Sequence, residues 1–149
     1  MNQKGQELQE TKKNHYEELK ISRFIFDEEL QKDRLITDVY KLRLTDHWKD
    51  KLQERFDLDV FEYYSEICSE GAILDRYKFA ATVWALLNGG GHELSEDETV
   101  DVVELAVKHL GLDEVAIVVL AALTVAFMPP EAYALFKMAV QSNWNQVSY

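Results

Sequence analysis

The sequence predicts a mainly α-helical fold, a compact bundle of five to seven helices with at most a short β-hairpin near residues 20–44. Three observations predict it. The segment Tyr77–Pro130 divides into three helices by its own start and stop signals. The last of these carries the apolar run Val115–Met128, the pattern of a helix buried on most sides. Only Leu35–Leu44 is a good strand candidate, because Tyr40, Leu42 and Leu44 alternate with Lys41 and Arg43.

The elements follow in order. Gln6–Asp33 is predicted as an amphipathic helix, since Tyr16, Leu19, Phe26 and Leu30 fall at heptad-like spacing with Arg23 interrupting the seam. This divides the chain into an N-terminal helical arm, 1–33, and a helical domain, 34–149. The β-branched and aromatic crowding of Leu19–Phe26 also suits an extended chain. A strand at Leu35–Leu44 needs a mate, for which Ile21–Phe26 is the nearest candidate, or an edge on another molecule.

Thr45 or Asp46 caps the next helix, with Trp48, Leu52 and Phe56 on one face. Asp59 caps Val60–Ser69, with Val60, Tyr64, Ile67 and Cys68 inward and Gly71 as a left-handed stop. Asp75 opens a central helix with the stripe Tyr77, Ala80, Ala81, Trp84 and Leu87. Asn88-Gly-Gly-Gly91 ends it and reads as a flexible loop, because glycines propagate a helix poorly. Ser95-x-x-Glu98 is a capping box for the next helix, stopped by Gly111. Asp113 is expected to cap the apolar helix, Pro129-Pro130 ends it, and a final helix starts at Glu131.

Composition narrows the function classes. Hydrophobic residues at 47% and charged residues at 29% give a globular balance, and 149 residues suffice for one core. The formal net charge is -11, unevenly placed. Met1–Glu54 holds 11 basic and 12 acidic residues, net -1, whereas Arg55–Tyr149 holds 5 and 15, net -10. That longer part repels phosphates, so no direct nucleic-acid binding is expected. The lone Cys68 precludes an intrachain disulfide, fits a reducing compartment and reads as a half-buried thiol. Val115–Met128 falls short of the ~20 residues that span a bilayer, and the polar N-terminus lacks a signal core, so no membrane attachment is expected.

Motifs for chemistry are missing. His92-Glu93 has Glu at position 96 where a zinc-protease helix needs His. Gly89-Gly-Gly91 lacks the Lys-Ser/Thr of a phosphate loop, and acids follow it. Asp57-x-Asp59 lacks the offsets of a calcium loop. No carboxylate pair or activated nucleophile stands out, so the chain reads as a non-enzyme without cofactor or metal. The candidate partner-binding residues are aromatic: Phe24, Phe26, Phe61, Tyr63 and Trp144. Glu96, Asp97, Glu98 and Asp101 form a candidate acidic surface, although capping and the helix dipole also account for them.

From Tyr40 onward the chain resembles the small tail assembly chaperones of long-tailed bacteriophages and their gene-transfer-agent relatives. The resembling pattern is the strand YKLRLTD, the helix HWKDKLQERFD, the short helix LDVFEYYSEI, KFAATVWALLNGG, and a polar turn with LSEDETVDVVEL. It covers roughly Tyr40 to Met128. The resemblance implies a non-catalytic protein of the host cytoplasm that binds the tape-measure protein, keeps it soluble and helps tail-tube subunits assemble around it. The alternative is a small acidic inhibitor of the anti-defence type that blocks a basic, nucleic-acid-binding host protein. A helical interaction module ranks third and an enzyme fourth. Homo-oligomerisation is open.

Overall fold

A computed structural model describes residues 12, 14–70 and 75–147, with side chains described up to residue 139 apart from residue 70. Among the described residues, one antiparallel hairpin precedes six helices. The strands are β1 (Glu17–Asp27) and β2 (Lys32–Leu42), paired without interruption from Glu17↔Leu42 to Asp27↔Lys32. The helices are α1 (Asp46–Phe56), α2 (Val60–Glu70), α3 (Arg76–Gly89), α4 (Glu96–Leu110), α5 (Leu112–Phe127) and α6 (Pro130–Val147). None of the described helices is long and apolar enough to cross a membrane.

The mainly α fold with a hairpin is as the sequence predicts, but the helix expected over Gln6–Asp33 is a strand from Glu17 onward. The reason is geometric. Leu19 and Ile21 are both buried, and they lie two residues apart. On a helix they would point about 200° apart around the axis, whereas on a strand they share a face. β1 pairs with β2 along its whole length and packs on α4 and α5, so Glu17–Asp33 is no separate helical arm. Residues 1–11 of that arm lie outside the described residues. The reverse turn between the strands is held by Asp27, whose Oδ1 accepts the backbone N–H groups of Glu29 (3.0 Å) and Leu30 (3.2 Å). Gln31 closes the turn at φ 53°.

α3 is the centre of the molecule, with α1, α4, α5 and β2 packed around it. Seven consecutive residues, Ala81–Leu87, are buried, so no side of the helix there faces water. Asp75 caps it by accepting the N–H groups of Tyr77 and Lys78. Trp84 meets Trp48 and Phe56 edge to face, at centroid distances of 5.2 and 5.4 Å, and its indole N–H donates to the Leu94 carbonyl (3.1 Å). Tyr77, expected in the buried stripe, is exposed at the first turn instead. Cys68, expected half-buried, is exposed on α2.

The glycine loop is tied down rather than flexible. Asn88 Nδ2 donates to the carbonyls of Trp84 (2.8 Å) and Leu94 (3.1 Å), and its Oδ1 accepts the Leu94 N–H (3.2 Å). The end of α3 also touches the end of β2 backbone to backbone: the Arg43 N–H donates to the Leu86 carbonyl (3.0 Å). A Cβ on Gly89 would collide with the Arg43 carbonyl oxygen, and one on Gly90 with that of Lys41. The glycines therefore permit close approach of helix and strand, besides ending the helix.

The remaining caps follow the sequence with one correction. Thr45 accepts the Trp48 N–H, Asp59 accepts the Glu62 N–H, and Ser95 and Glu98 form the reciprocal capping box. Asp113 does not cap α5. The helix starts two residues earlier, with Gly111 at the cap at φ 88° and no side-chain cap hydrogen bond. The expected stop at Gly71 lies outside the described residues.

Candidate partner-binding surface

Among the described residues, the hairpin is a ribbon rooted in the helices at one end and free at the other. In a strand pair, residues directly opposite share a face. The inner face carries Leu19 and Ile21, both buried, then Arg23 and Ile25, which emerge progressively. The outer face carries Phe24 opposite Leu35, with Phe26 and Val39 on the same side by parity. These four are 72%, 56%, 55% and 42% exposed respectively. Leu30 adds a further exposed apolar side chain at the turn. Between Phe24–Leu35 and Val39, Ser22 Oγ and Thr37 Oγ1 share a hydrogen bond across the strands (2.9 Å), a polar rung that sets Val39 apart beside Lys20.

Charges border this patch. The turn end of the outer face holds Asp33 beside Glu28 and Glu29 of the turn, while Asp27, Lys32 and Arg34 lie on the inner face. Arg34 stands 4.0 Å from Asp27. The rooted end of the same face holds Glu18, Lys20 and Lys41, with Lys20 3.4 Å from Glu18. On the inner face Arg23 stands 3.6 Å from Asp38. These pairs are exposed and stabilise little, but they fix which part of the ribbon is charged and which is apolar.

The structure places the five aromatic candidates in different settings. Phe24 and Phe26 lie together on the ribbon. Phe61 is exposed on α2, edge to face with Phe127 at 5.0 Å. Its helix packs against α1 and α5. Tyr63 is no contact residue, being 2% exposed in the core beneath α2. Burial pushes its hydroxyl pKa up to about 12, helped by Asp75 and Glu66. The helical spacing is the reason: Phe61, Tyr63 and Tyr64 spread around α2, and Tyr63 falls on the inner side with Val60 and Ile67. The side chain of Trp144 lies outside the described residues.

The acidic candidates sit at the start of α4, and two are used internally. Glu96 pairs with Arg55, and Glu98 accepts the Ser95 N–H (3.1 Å). Asp97 and Asp101 are exposed. Among the described residues, no group of three His, Cys, Asp or Glu side chains is placed to hold a metal ion.

A cavity of about 500 Å³ lies at the root of the ribbon, with Leu42, Leu44, Ala122 and Val125 as apolar lining and Lys12, His15, Arg43 and Asp46 as charged or polar lining. Beside it, His15 shares hydrogen bonds with the Tyr133 hydroxyl (2.9 Å) and the Glu17 carboxylate (2.8 Å). Tyr133 is fully buried, so this chain of three groups joins the first turn of α6 to the start of β1 rather than presenting a reactive hydroxyl. His92 has a similar role at the other strand. Its Nε2 accepts the Lys41 backbone N–H (2.8 Å), capping the edge of β2. Burial, and then the Lys41 charge, push its pKa down.

Sequence reasoning missed Leu35, Val39 and Leu30 as parts of the surface. The signal was present: Leu35, Thr37 and Val39 alternate on one side of β2, and the pairing with Ile21–Phe26 sets them beside Phe24 and Phe26. No family model, no curated protein and no solved structure matches the chain.

Proposed function

We propose that this chain is a non-catalytic tail assembly chaperone, a protein that binds the tape-measure protein of a long-tailed phage and helps the tail tube assemble around it. One observation carries the reading: an apolar, aromatic ribbon face that the described residues leave uncovered. Exposed aromatic patches suit transient contact with apolar client surface. The resemblance from Tyr40 to Met128 supports it from another side, since those residues form the packed body from the end of β2 through α5. His15 and His92 hold the two strands within the fold, and Glu96 and Glu98 are engaged at the start of α4. The acidic-inhibitor reading retains less support, because Glu96 and Glu98 are engaged within the molecule.

The reading expects a tape-measure gene beside this one, and its test is co-expression with the product of that gene. The soluble fraction of that client should rise several-fold with the wild-type chain. A client that stays equally insoluble sinks the proposal.

A further inference from the structure

We propose that the outer face of the β1–β2 ribbon seats a single amphipathic helix with a basic border. The dimensions favour a helix. Strands lie about 4.8 Å apart, so two strands with their side chains present a face about 10 Å wide, the diameter of one helix. From Lys20↔Val39 to Phe26↔Asp33 the ribbon runs about 20 Å at the usual rise per residue. About 13 helical residues, or nearly four turns, cover that length. A helix stripe with residues at i, i+3, i+4 and i+7 would set its apolar side chains on Phe24, Phe26 and Leu35 and reach Val39 across the Ser22–Thr37 rung.

Charge selects the border of that helix. The turn carries Glu28 and Glu29 and the outer face beside it Asp33, whereas Asp27, Lys32 and Arg34 lie on the inner face by parity; the rooted end of the outer face carries Lys20 and Lys41 against Glu18. The whole chain carries -11. A helix flanked by Lys and Arg is attracted both locally and by the summed field, whereas a second copy of this chain brings a like charge of the same size. The occupant is therefore a basic-bordered helix of another protein. The surface itself follows from the ribbon; that the helix belongs to the tape-measure protein rests on the function proposed above.

The experiment uses the full chain and two probes. The first is a fluorescent amphipathic peptide of about 18 residues with a leucine stripe between Lys and Arg borders. The second is a set of peptides tiling the tape-measure protein. Wild type should bind the first probe, and the bound peptide should gain helical circular dichroism. A Glu-bordered version should bind at least tenfold more weakly. The double variant Phe24→Ser/Phe26→Ser should lose at least tenfold affinity while keeping the wild-type melting temperature, and Phe61→Ser should bind as wild type does. Equal binding by the double variant, or a bound peptide with strand-type dichroism, overturns the proposal. So does a wild-type dimer that this double variant dissociates, because the face would then be an interface between copies. Binding of the designed peptide with no tape-measure peptide bound upholds the surface and removes the client. A client kept soluble equally well by the double variant upholds the function and removes the ribbon as the seat of that client.

Discussion

Gly90 shows how one residue type can have two explanations of which the structural one is more demanding. As a helix stop, it tolerates Ala at modest cost. As the point where α3 meets the Lys41 carbonyl, it has no room for a methyl group. Gly90→Ala must push helix and strand apart, and with them the Arg43–Leu86 hydrogen bond. Overpacking of this kind costs about 1–3 kcal/mol. Chemical denaturation of Gly90→Ala should show a loss in that range, and of Gly91→Ala a loss from its φ of 100° instead. A Gly90→Ala variant as stable as wild type would mean that the close approach is not used. His92 supplies a pH-dependent contact nearby. Its Nε2 accepts a hydrogen bond only when unprotonated, and its folded pKa lies below the ordinary 6.5. A depressed folded pKa gives a contribution that is complete above 6.5 and is lost as pH falls through the folded value. The melting temperature should thus decline below pH 6.5. His92→Gln, which keeps an acceptor without titrating, should flatten that part of the decline. Equal slopes in wild type and His92→Gln would remove the role assigned to this ring.

At the scale of elements, the helices were legible because their ends are marked by side chains that act locally. Thr45, Asp59, Asp75 and Ser95 each accept an N–H from their own first turn, so sequence order suffices to find them. The hairpin was only half legible. β2 shows its alternation, but across β1 the spacing of Tyr16, Leu19, Phe26 and Leu30 fits a helix as well. What decides between the two is pairing with β2 and packing on α4 and α5, and neither is a local property. The same limit applied to the surface. Phe24 and Phe26 were recognised as aromatic candidates, but their joining with Leu35 and Val39 depends on register. Tyr63 failed for the complementary reason, since its exposure depended on which side of α2 the core would occupy. The glycine loop was misjudged as flexible because the hydrogen bonds of Asn88 reach across the turn to Leu94 and back to Trp84.

At the scale of the whole molecule, the acidic surplus acts on stability and on binding in opposite directions. A net charge of -11 on a chain of this size destabilises the compact state through self-repulsion. Adding salt from about 10 mM to about 150 mM shortens the screening length from about 30 Å to about 8 Å. Repulsion among distant carboxylates then fades. The opposing loss comes from exposed ion pairs such as Arg55–Glu96 and Lys78–Glu66. Such pairs contribute about 0–1 kcal/mol each, and the surplus of acids after Glu54 leaves most carboxylates without one. Repulsion therefore wins, and the melting temperature at pH 7 should rise over this range of sodium chloride. A flat or falling curve would show that paired charges dominate. Affinity for a basic-bordered helix should fall over the same range, because screening weakens attraction between the partners. The two opposite slopes, measured on one preparation, separate the charge that the fold tolerates from the charge that the ribbon uses.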